Sequence, residues 1–494
     1  MAAAPALRVP LRPFVPVFLL FFVFSSGTSP CMGDGDYLKL RLLHPSPRPT
    51  PQQALVHDSH RLFVLFSLLS ASAGGQAPEH PVGVAAPVIS GASTGAGQYF
   101  VDFRVGTPAQ KLLLVADTGS DLVWVRCSAC RNCFHHPAGT AFLARHSFTF
   151  SPYHCYDRRC RLVPHPRPDP PCTRTRLHSP CRFRYVYADH STSAGFFSRE
   201  TATLNASSGR AIRLRNLSFG CGFNVSGPSI TGPAAGGAHG VMGLGRGPIS
   251  FPSQVGRRYG NTFSYCLMDY TLSPPPTSYL LIGDAKENRT TVRGKRGKTS
   301  SPPLSYTPLQ TNPLSPTFYY IGVEGASVDG VDLPIDSAVW ALDASTGSGG
   351  TVIDSGTTIT FLPEPAYRQI LAAMERRVRL PRVSVGGAGT GSGGAPATPE
   401  FDLCVNATSA GGDASAAPPP LPRLGLKLAG GAVLSPPPRN YFVDAAPGVR
   451  CLALQPVASP AGFGVIGNLM QQGFLFVFDR DRSRLGFSRT GCAV

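Results

Sequence analysis

One short motif, present once in each half of the chain, constrains this sequence more than any other feature. An apolar run ends in the sequence DTGS at residues 117–120, and a second apolar run ends in DSGT at residues 354–357. Each motif is followed, in the same order, by two apolar residues and a glycine, at 241–243 and at 465–467. The apolar runs are typical of buried strands. The repeat therefore predicts two lobes of similar topology that face each other across a cleft, with one aspartate contributed by each lobe.

Two carboxylates that meet in a cleft can catalyse the hydrolysis of a peptide bond. One takes a proton from water while the other protonates the leaving amine. Carboxylates held about 3 Å apart cannot both ionise, so they share one proton. Glycines permit tight turns around them, and neighbouring hydroxyls can hold the carboxylates or link the two loops. We predict catalysis by Asp117 and Asp354, supported by Thr118, Gly119, Ser120, Ser355, Gly356 and Thr357.

The composition favours short strands over long helices. Glycine (54 residues) and proline (49 residues) are abundant, and only 15% of the residues are charged, which disfavours a helical bundle. Residues 364–378 alone show clear helical spacing. The segments 271–303, 382–400 and 407–420 are rich in Gly, Ser or Pro and are predicted as loops. We therefore expect a fold dominated by β-structure, with two lobes and a few short helices.

The N-terminal region predicts a secretory route. Residues 1–28 combine early arginines, an apolar run and small residues, which is the pattern of a signal peptide. Residues 29–90 are interpreted as a propeptide, so we expect a zymogen. No later stretch approaches transmembrane length. We expect a secreted protein of the extracellular space or cell wall, with the vacuole or a plastid as the alternative.

Cysteines and glycosylation motifs agree with this route. Cys31 lies beside the signal, and the other twelve cysteines form an even set for which disulfides are expected in an oxidising compartment. A metal site at the sequence CSACRNC, with His135 and His136 nearby, is disfavoured for the same reason, and we expect no metal. Glycosylation sequons begin at Asn205, Asn216, Asn224, Asn288 and Asn406.

The net charge of +17 is unevenly distributed. Residues 145–184 contain nine arginines and only two aspartates, and the basic sequence RGKRGK lies at 293–298. A high net charge affects the solubility of a protein and its binding to non-specific partners. Solvated surface loops are the favoured interpretation, since no aromatic residues are interleaved in the basic runs. Binding to an acidic cell-wall polymer or to nucleic acid is the alternative.

Several blocks together resemble a known family. The sequences GQYFVDFRVGTPAQ, DTGSDLVWVRCSAC, GVMGLGRGPISFPSQ, DSGTTITFLP and VIGNLMQQGFLFVFD are similar to the pepsin-like aspartic proteases, specifically the plant nepenthesin-like group, over residues 97–494. The resemblance implies an N-terminal lobe at 97–270 with a Cys-rich insertion at 127–181, a basic Pro-rich loop at 271–303, and a C-terminal lobe at 304–494. It also implies an endopeptidase that acts on proteins or peptides at acidic pH, is inhibited by pepstatin-type peptides, and needs no cofactor. We expect a monomer that requires neither nucleic acid nor a membrane.

The resemblance assigns further residues. Tyr187 is similar to the tyrosine of the family's flap over the substrate, Asp189 lies in the same turn, and Trp124 is similar to the tryptophan that bonds to the flap. Ala188 and His190 replace two glycines that the family usually has there, which puts substrate preference in doubt. The implied disulfides are Cys127–Cys130, Cys133–Cys221, Cys155–Cys181, Cys160–Cys172, Cys266–Cys492 and Cys404–Cys451.

Two other functions stay open at this point. Some plant proteins of this fold inhibit cell-wall-degrading glycosidases and have lost catalytic residues, whereas both aspartate motifs are intact here. The chain also resembles, at family level, a chloroplast nucleoid DNA-binding protease, and its basic clusters would permit that role.

Overall fold

The computed structural model describes the following residues: 38–43, 51–52, 54–55, 58–59, 98–131, 141–166, 172, 179–186, 192–206, 209–227, 238–269, 277–283, 304–383, 401–408, 420–457, 462–489 and 492. Among them, no helix is long and apolar enough to span a bilayer. The predicted signal at 1–28 lies outside the described residues.

Short strands make up most of this part of the chain. They are β1 (Leu38–Leu43), β2 (Phe100–Val105), β3 (Gln110–Asp117), β4 (Trp124–Arg131), β5 (Ser151–Pro152), β6 (Arg182–Val186), β7 (Thr192–Asn205), β8 (Ala211–Ser226), β9 (Gly240–Gly243), β10 (Thr262–Cys266), β11 (Ser278–Ile282), β12 (Ser305–Gln310), β13 (Tyr320–Ile321), β14 (Val323–Val328), β15 (Val331–Asp332), β16 (Thr351–Ile353), β17 (Thr360–Pro363), β18 (Cys404–Asn406), β19 (Leu424–Leu428), β20 (Ala432–Leu434), β21 (Phe442–Ala446), β22 (Val449–Leu452), β23 (Leu454–Val457), β24 (Gly464–Ile466), β25 (Leu475–Asp479) and β26 (Arg484–Ser488). The helices are α1 (Phe251–Tyr259), α2 (Glu364–Arg377) and α3 (Asn468–Gln471). The β-dominated fold predicted from the composition is confirmed.

The repeated motif corresponds to a repeated pairing of parallel strands. In the first half, β3 pairs with β9, so that Asp117 lies opposite Gly243. In the second half, β16 pairs with β24 over residues 351–353 and 464–466. Both β9 and β24 are the apolar elements that follow the aspartate motifs in the sequence, and both are fully buried. Apolar runs buried on both faces are typical of parallel pairing, and each pairing delivers an aspartate to the end of its strand.

A continuous ribbon of strands joins the two halves. Its order is β2, β1, β11, β10, β25, β26, β12 and β13, and every neighbouring pair is antiparallel. β1 belongs to the predicted propeptide, and its alternating pattern buries Leu38, Leu40 and Leu42. The propeptide strand is therefore part of the sheet that connects the lobes.

One sequence prediction about secondary structure was wrong, and one helix was not located from the sequence. The proposed loop at 271–303 contains β11, because its sequence SYLLI is an apolar run that is buried between β1 and β10. The sequence FPSQVGRRY forms α1, which the helical spacing alone did not indicate; Ser250 caps it by accepting a hydrogen bond from the amide of Ser253. The predicted helix at 364–378 is confirmed as α2.

The structure also corrects the disulfides of the Cys-rich insertion. Cys127 bonds to Cys221, with Cα atoms 5.5 Å apart, because β4 and β8 are parallel neighbours. The implied pairs Cys127–Cys130 and Cys133–Cys221 are therefore wrong. The Cys130 side chain and Cys133 lie outside the described part of the chain.

The other two pairs of the insertion are exchanged relative to the expectation. The structure contains Cys155–Cys172 and Cys160–Cys181 instead of Cys155–Cys181 and Cys160–Cys172. Cys160 and Cys181 are both buried in one apolar cluster, whereas Cys172 is exposed and Cys155 is half-buried. Burial decides the pairing, and sequence order gives no information about burial in an irregular loop. In the second half, the structure contains Cys266–Cys492 and Cys404–Cys451, which are the pairs implied by the resemblance.

A buried carboxyl group, that of Asp121, ties three segments together beside the first aspartate motif. Its Oδ1 accepts a hydrogen bond from the amide of Gly247 (2.8 Å), and its Oδ2 accepts one from the hydroxyl of Thr317 (2.8 Å). A Cβ at Gly245 would lie 2.4 Å from Asp121 Oδ1, and one at Gly247 would lie 2.2 Å from Oδ2. Gly245 and Gly247 are thus required, because a Cβ at either position would collide with this carboxyl group.

Burial raises the pKa of Asp121, and the hydrogen bonds from Thr317 and Gly247 and the charge of Arg480 oppose that shift. A raised pKa means that the folded chain prefers the protonated carboxyl group. The stabilisation associated with this proton is complete below the ordinary pKa of 3.8 and is lost as the pH rises through the folded-state value.

We predict that Asp121→Asn reduces the loss of stability between acidic and neutral pH, because the amide stays neutral throughout. Denaturant unfolding at pH 3.5 and pH 6.5 measures the change. The exposed Asp444→Asn serves as the control, and its two unfolding free energies should follow those of the unmodified chain. Identical pH dependence in Asp121→Asn and the unmodified chain would contradict the role assigned to this carboxyl group.

Candidate active site

Asp117 ends β3, and its side chain is fully buried. Its Oδ1 accepts a hydrogen bond from the amide of Gly119 (3.1 Å), and its Oδ2 accepts one from the hydroxyl of Ser120 (2.5 Å). The turn folds back because the side chain satisfies backbone and hydroxyl donors two and three residues further on, as aspartate commonly does in turns. Both carboxylate oxygens are therefore held in place by their own loop.

Asp354 has the same arrangement in the second half. It follows β16 and is 4% exposed. Its Oδ1 accepts a hydrogen bond from the amide of Gly356 (2.9 Å), and its Oδ2 accepts one from the hydroxyl of Thr357 (2.6 Å). The structure thus gives Gly119, Ser120, Gly356 and Thr357 the positions that the sequence motif predicts.

The two loops are joined by reciprocal hydrogen bonds between Thr118 and Ser355. The amide of Ser355 donates to Thr118 Oγ1 (2.9 Å), and the amide of Thr118 donates to Ser355 Oγ (3.1 Å). The Ser355 hydroxyl in turn donates to the carbonyl of Ala116 (2.9 Å). Thr118 Oγ1 also lies 3.4 Å from Asp354 Oδ1. All of these groups are buried, and their hydrogen bonds bring aspartate loops from two distant parts of the chain together in one site.

A further layer of polar side chains supports Asp354 from behind. Gln471 donates from Nε2 to the carbonyls of Asp354 (3.1 Å) and Ile466 (2.8 Å), and its Oε1 accepts a hydrogen bond from the hydroxyl of Tyr265. Asn468 donates to the carbonyl of Ser355 (3.1 Å). Burial, followed by the nearby negative charge of Asp354, raises the pKa of Tyr265 well above its ordinary value, so this hydroxyl stays a donor.

Sequence reasoning missed the roles of Tyr265, Asn468 and Gln471. The polar residues of the sequence NLMQQG directly follow the second apolar-apolar-Gly element, and this position was the available signal. Fully buried polar side chains in such a place need partners, and the partners are backbone carbonyls of the second aspartate loop and of Ile466 in β24.

The predicted flap is partly described. β6 and β7 pair antiparallel up to Val186 and Thr192, so they form the two arms of a hairpin. Trp124 is 1% exposed and lies in one apolar cluster with Phe183 and Tyr185 of β6. The tip of the hairpin, with Tyr187, Ala188, Asp189 and His190, lies outside the described residues, and the roles of Tyr187 and Asp189 stay predictions.

The predicted propeptide contacts the second aspartate loop. Asp58 is fully buried, and its Oδ2 accepts hydrogen bonds from the amides of Thr358 (2.9 Å) and Ile359 (2.6 Å). Ala54 and Leu55 are buried in one apolar cluster with residues of the C-terminal lobe that include Ile359. This contact starts one residue after Thr357, which holds the Asp354 carboxylate.

Two cysteines lie close to a histidine, but the three residues do not form a metal site. Cys160, His165 and Cys181 lie together, but the two sulfurs form a disulfide and are unavailable as thiolate ligands. Of the glycosylation sequons, Asn205, Asn216 and Asn224 are exposed, Asn406 is half-buried, and Asn288 lies outside the described part of the chain.

Comparison with known proteins identifies the family of this chain. Two family models match, described as xylanase inhibitor N-terminal over residues 99–284 and xylanase inhibitor C-terminal over residues 318–489. The chain is 35% identical to aspartyl protease family protein 2 of Arabidopsis thaliana, covering 89% of this chain and 80% of that protein. It is 32% identical to aspartic proteinase nepenthesin-1 of Nepenthes gracilis, covering 90% of this chain and 86% of that protein.

Solved structures show the same fold. Basic 7S globulin from soybean has a TM-score of 0.60 at 18% identity, covering 92% of this chain and 97% of that chain. Conglutin gamma from lupine seeds has a TM-score of 0.57 at 19% identity, covering 92% and 95%. With its two interlocked aspartate loops and its relatives at 30% identity or more, the chain belongs to the plant pepsin-like family of aspartic endopeptidases.

Proposed function

We propose that this chain is a secreted, prosegment-bearing endopeptidase that cleaves proteins or peptides at acidic pH, with Asp117 and Asp354 as its catalytic pair. The observation that carries the proposal is the reciprocal Thr118–Ser355 link, which holds both carboxylates in one buried site. We further propose that the enzyme acts as a monomer and that peptides of the pepstatin type inhibit it.

The geometry supports hydrolysis by activated water. One carboxylate of the pair accepts a proton as the water oxygen attacks the peptide carbonyl, which gives a tetrahedral intermediate. The other carboxyl group donates a proton to the nitrogen as the C–N bond breaks. The two groups titrate as a pair, so we assign neither of them permanently to the base or to the acid. Because one proton must remain on the pair, activity is expected in acid.

The contacts of the prosegment support a zymogen. Its strand β1 lies inside the central ribbon, and Asp58 binds two amides directly beside the second aspartate loop. We propose that a segment held there restricts access to the catalytic pair. Its release would make the site accessible, so we propose that removal of residues up to about position 97 activates the enzyme.

The oxidised cysteines support passage through a secretory compartment, because disulfides persist in oxidising environments. The exposed sequons Asn205, Asn216 and Asn224 would be accessible to glycosylation there. We therefore propose secretion to the extracellular space or the cell wall, with the vacuole or a plastid as the alternative.

The second candidate function is that of a binding or inhibitor protein on the same fold, and the two matching family models, which are described as xylanase inhibitor domains, favour it. Two intact aspartate motifs, each with its full set of hydrogen bonds, favour the enzyme. A nucleic-acid-binding plastid protease is a further alternative, and its basic sequence at 293–298 lies outside the described residues.

We predict that Asp354→Asn lowers kcat on a peptide library at acidic pH by roughly 10³-fold or more, since general acid–base catalysis by one group commonly contributes 10²–10⁴-fold. The exposed Asp332→Asn is the matched control and should keep its activity. Both proteins are measured without the prosegment, with and without pepstatin. Absence of activity in the correctly disulfide-bonded, unsubstituted chain would contradict the enzyme proposal and favour the binding-protein function.

We predict that Asp58→Ala weakens the hold of the prosegment, because two buried amides lose their acceptor, at a cost of about 1–3 kcal/mol each. The measurement is inhibition of the mature enzyme by a synthetic prosegment that covers residues 29–97. The inhibition constant should rise about tenfold or more with the substituted peptide. A peptide with the substitution Asp36→Ala is the control, and equal inhibition by all three peptides would contradict the assigned contact.

A further inference from the structure

A cavity of about 240 Å³ lies among segments of both lobes, apart from the residues that hold the two catalytic aspartates. Its lining residues are Arg246, Asn261, Leu309, Arg480 and Ser483. Arg246 follows β9, Asn261 lies between α1 and β10, and Leu309 belongs to β12. Arg480 and Ser483 lie in the turn between β25 and β26. The cavity is therefore formed by four separate segments of the chain.

Two guanidinium groups line this cavity and are held by neutral acceptors. Arg480 donates from Nη2 to the carbonyl of Arg246 (3.1 Å) and to the hydroxyl of Ser253 (2.7 Å). Arg246 donates from Nη1 to the carbonyl of Gln310 (2.7 Å) and from Nη2 towards Thr311 Oγ1 (3.3 Å). These bonds fix the positions of both side chains without neutralising their charge.

Nearby carboxylates have other partners. Asp479 is bound by Arg482 (3.1 Å) and Arg484 (2.9 Å), and Asp481 accepts a hydrogen bond from Asn261 (2.7 Å). Within the described part of the chain, no carboxylate oxygen lies within 4.0 Å of a nitrogen of Arg246 or Arg480. Arg480 Nη1 is inaccessible to solvent and has no hydrogen-bond partner among the described residues.

The charge of Arg480 also acts on the buried carboxyl group of Asp121, but neither Arg246 nor Arg480 forms an ion pair with a carboxylate of the described residues. Two positioned cations close to each other are costly in a partly buried place. Burial lowers the pKa of Arg246; the nearby Tyr319 opposes this shift, and the charge of Arg480 adds to it. A buried charge needs pairing to offset its desolvation. Guanidinium groups match the oxygens of phosphate and carboxylate groups, to which they donate strong, charge-assisted hydrogen bonds.

We propose that the cavity lined by Arg246 and Arg480 is a binding site for a small oxyanion, of which inorganic phosphate is the probe. The anion bridges the segment after β9 in the first lobe and the β25–β26 turn that belongs to the second. Because it neutralises both cations at the junction of the lobes, its binding stabilises the folded chain, and this readout is independent of proteolytic activity.

The test is a titration of the full chain with inorganic phosphate at pH 6, with sodium chloride adjusted to constant ionic strength. We expect a saturable rise in the unfolding temperature. Arg480→Gln and Arg246→Gln should each weaken the apparent affinity about tenfold or more, since each loses charged hydrogen bonds to the anion. Arg257→Gln is the matched control, because Arg257 is exposed on the neighbouring helix α1, and it should bind as the unmodified chain does.

A second measurement needs no substitution. Phenylglyoxal modifies arginine side chains, and mass spectrometry identifies the modified positions. Bound phosphate should protect Arg246 from modification and leave Arg257 unprotected. A parallel titration with citrate distinguishes a carboxylate ligand from a phosphate ligand.

The site is refuted if neither anion gives a saturable effect at constant ionic strength. It is also refuted if Arg480→Gln binds as tightly as Arg257→Gln, or if phosphate and citrate both leave the modification of Arg246 unchanged.

Discussion

The reciprocal hydrogen bonds between Thr118 and Ser355 are the constraint on which the rest of the structure depends. They join loops that are 237 residues apart in sequence, and they do so where both loops are buried. Each loop must therefore arrive at the end of a buried strand, which requires the parallel pairings of β3 with β9 and of β16 with β24. The support from Gln471 and the carboxyl group of Asp121 keep these strand ends in place from two sides.

Sequence reasoning predicted the centre of the site because its chemistry is local. In a turn such as 117–120, the residue that binds each carboxylate oxygen is two or three positions away, so the motif itself specifies the geometry. The duplicated apolar runs then specify that two such turns meet. The β-dominated fold and the helix α2 could be predicted from composition and periodicity, because these signals are also local in the sequence.

The remaining features depend on contacts between distant segments. Cys160 pairs with Cys181 because both are buried, and no spacing rule contains that information. β11 looked like part of a loop because its short apolar run follows three prolines in a segment rich in Gly, Ser or Pro, and it becomes a strand only between β1 and β10. Gln471 has a visible role only once its carbonyl partners are placed. The contacts of the prosegment strand and of the arginines at the lobe junction likewise could not be predicted before the structure was known.

The central claim is that Asp117 and Asp354 act as one catalytic unit, and a double-mutant cycle on kcat tests it most directly. Asp117→Asn, Asp354→Asn and the double variant are compared in the mature enzyme at acidic pH, with folding verified by denaturant unfolding. Residues that act as a unit give strongly non-additive losses. We expect each single variant to lose nearly all activity and the double variant to be little worse than either. Losses that multiply, or a single variant that keeps substantial activity, would contradict it.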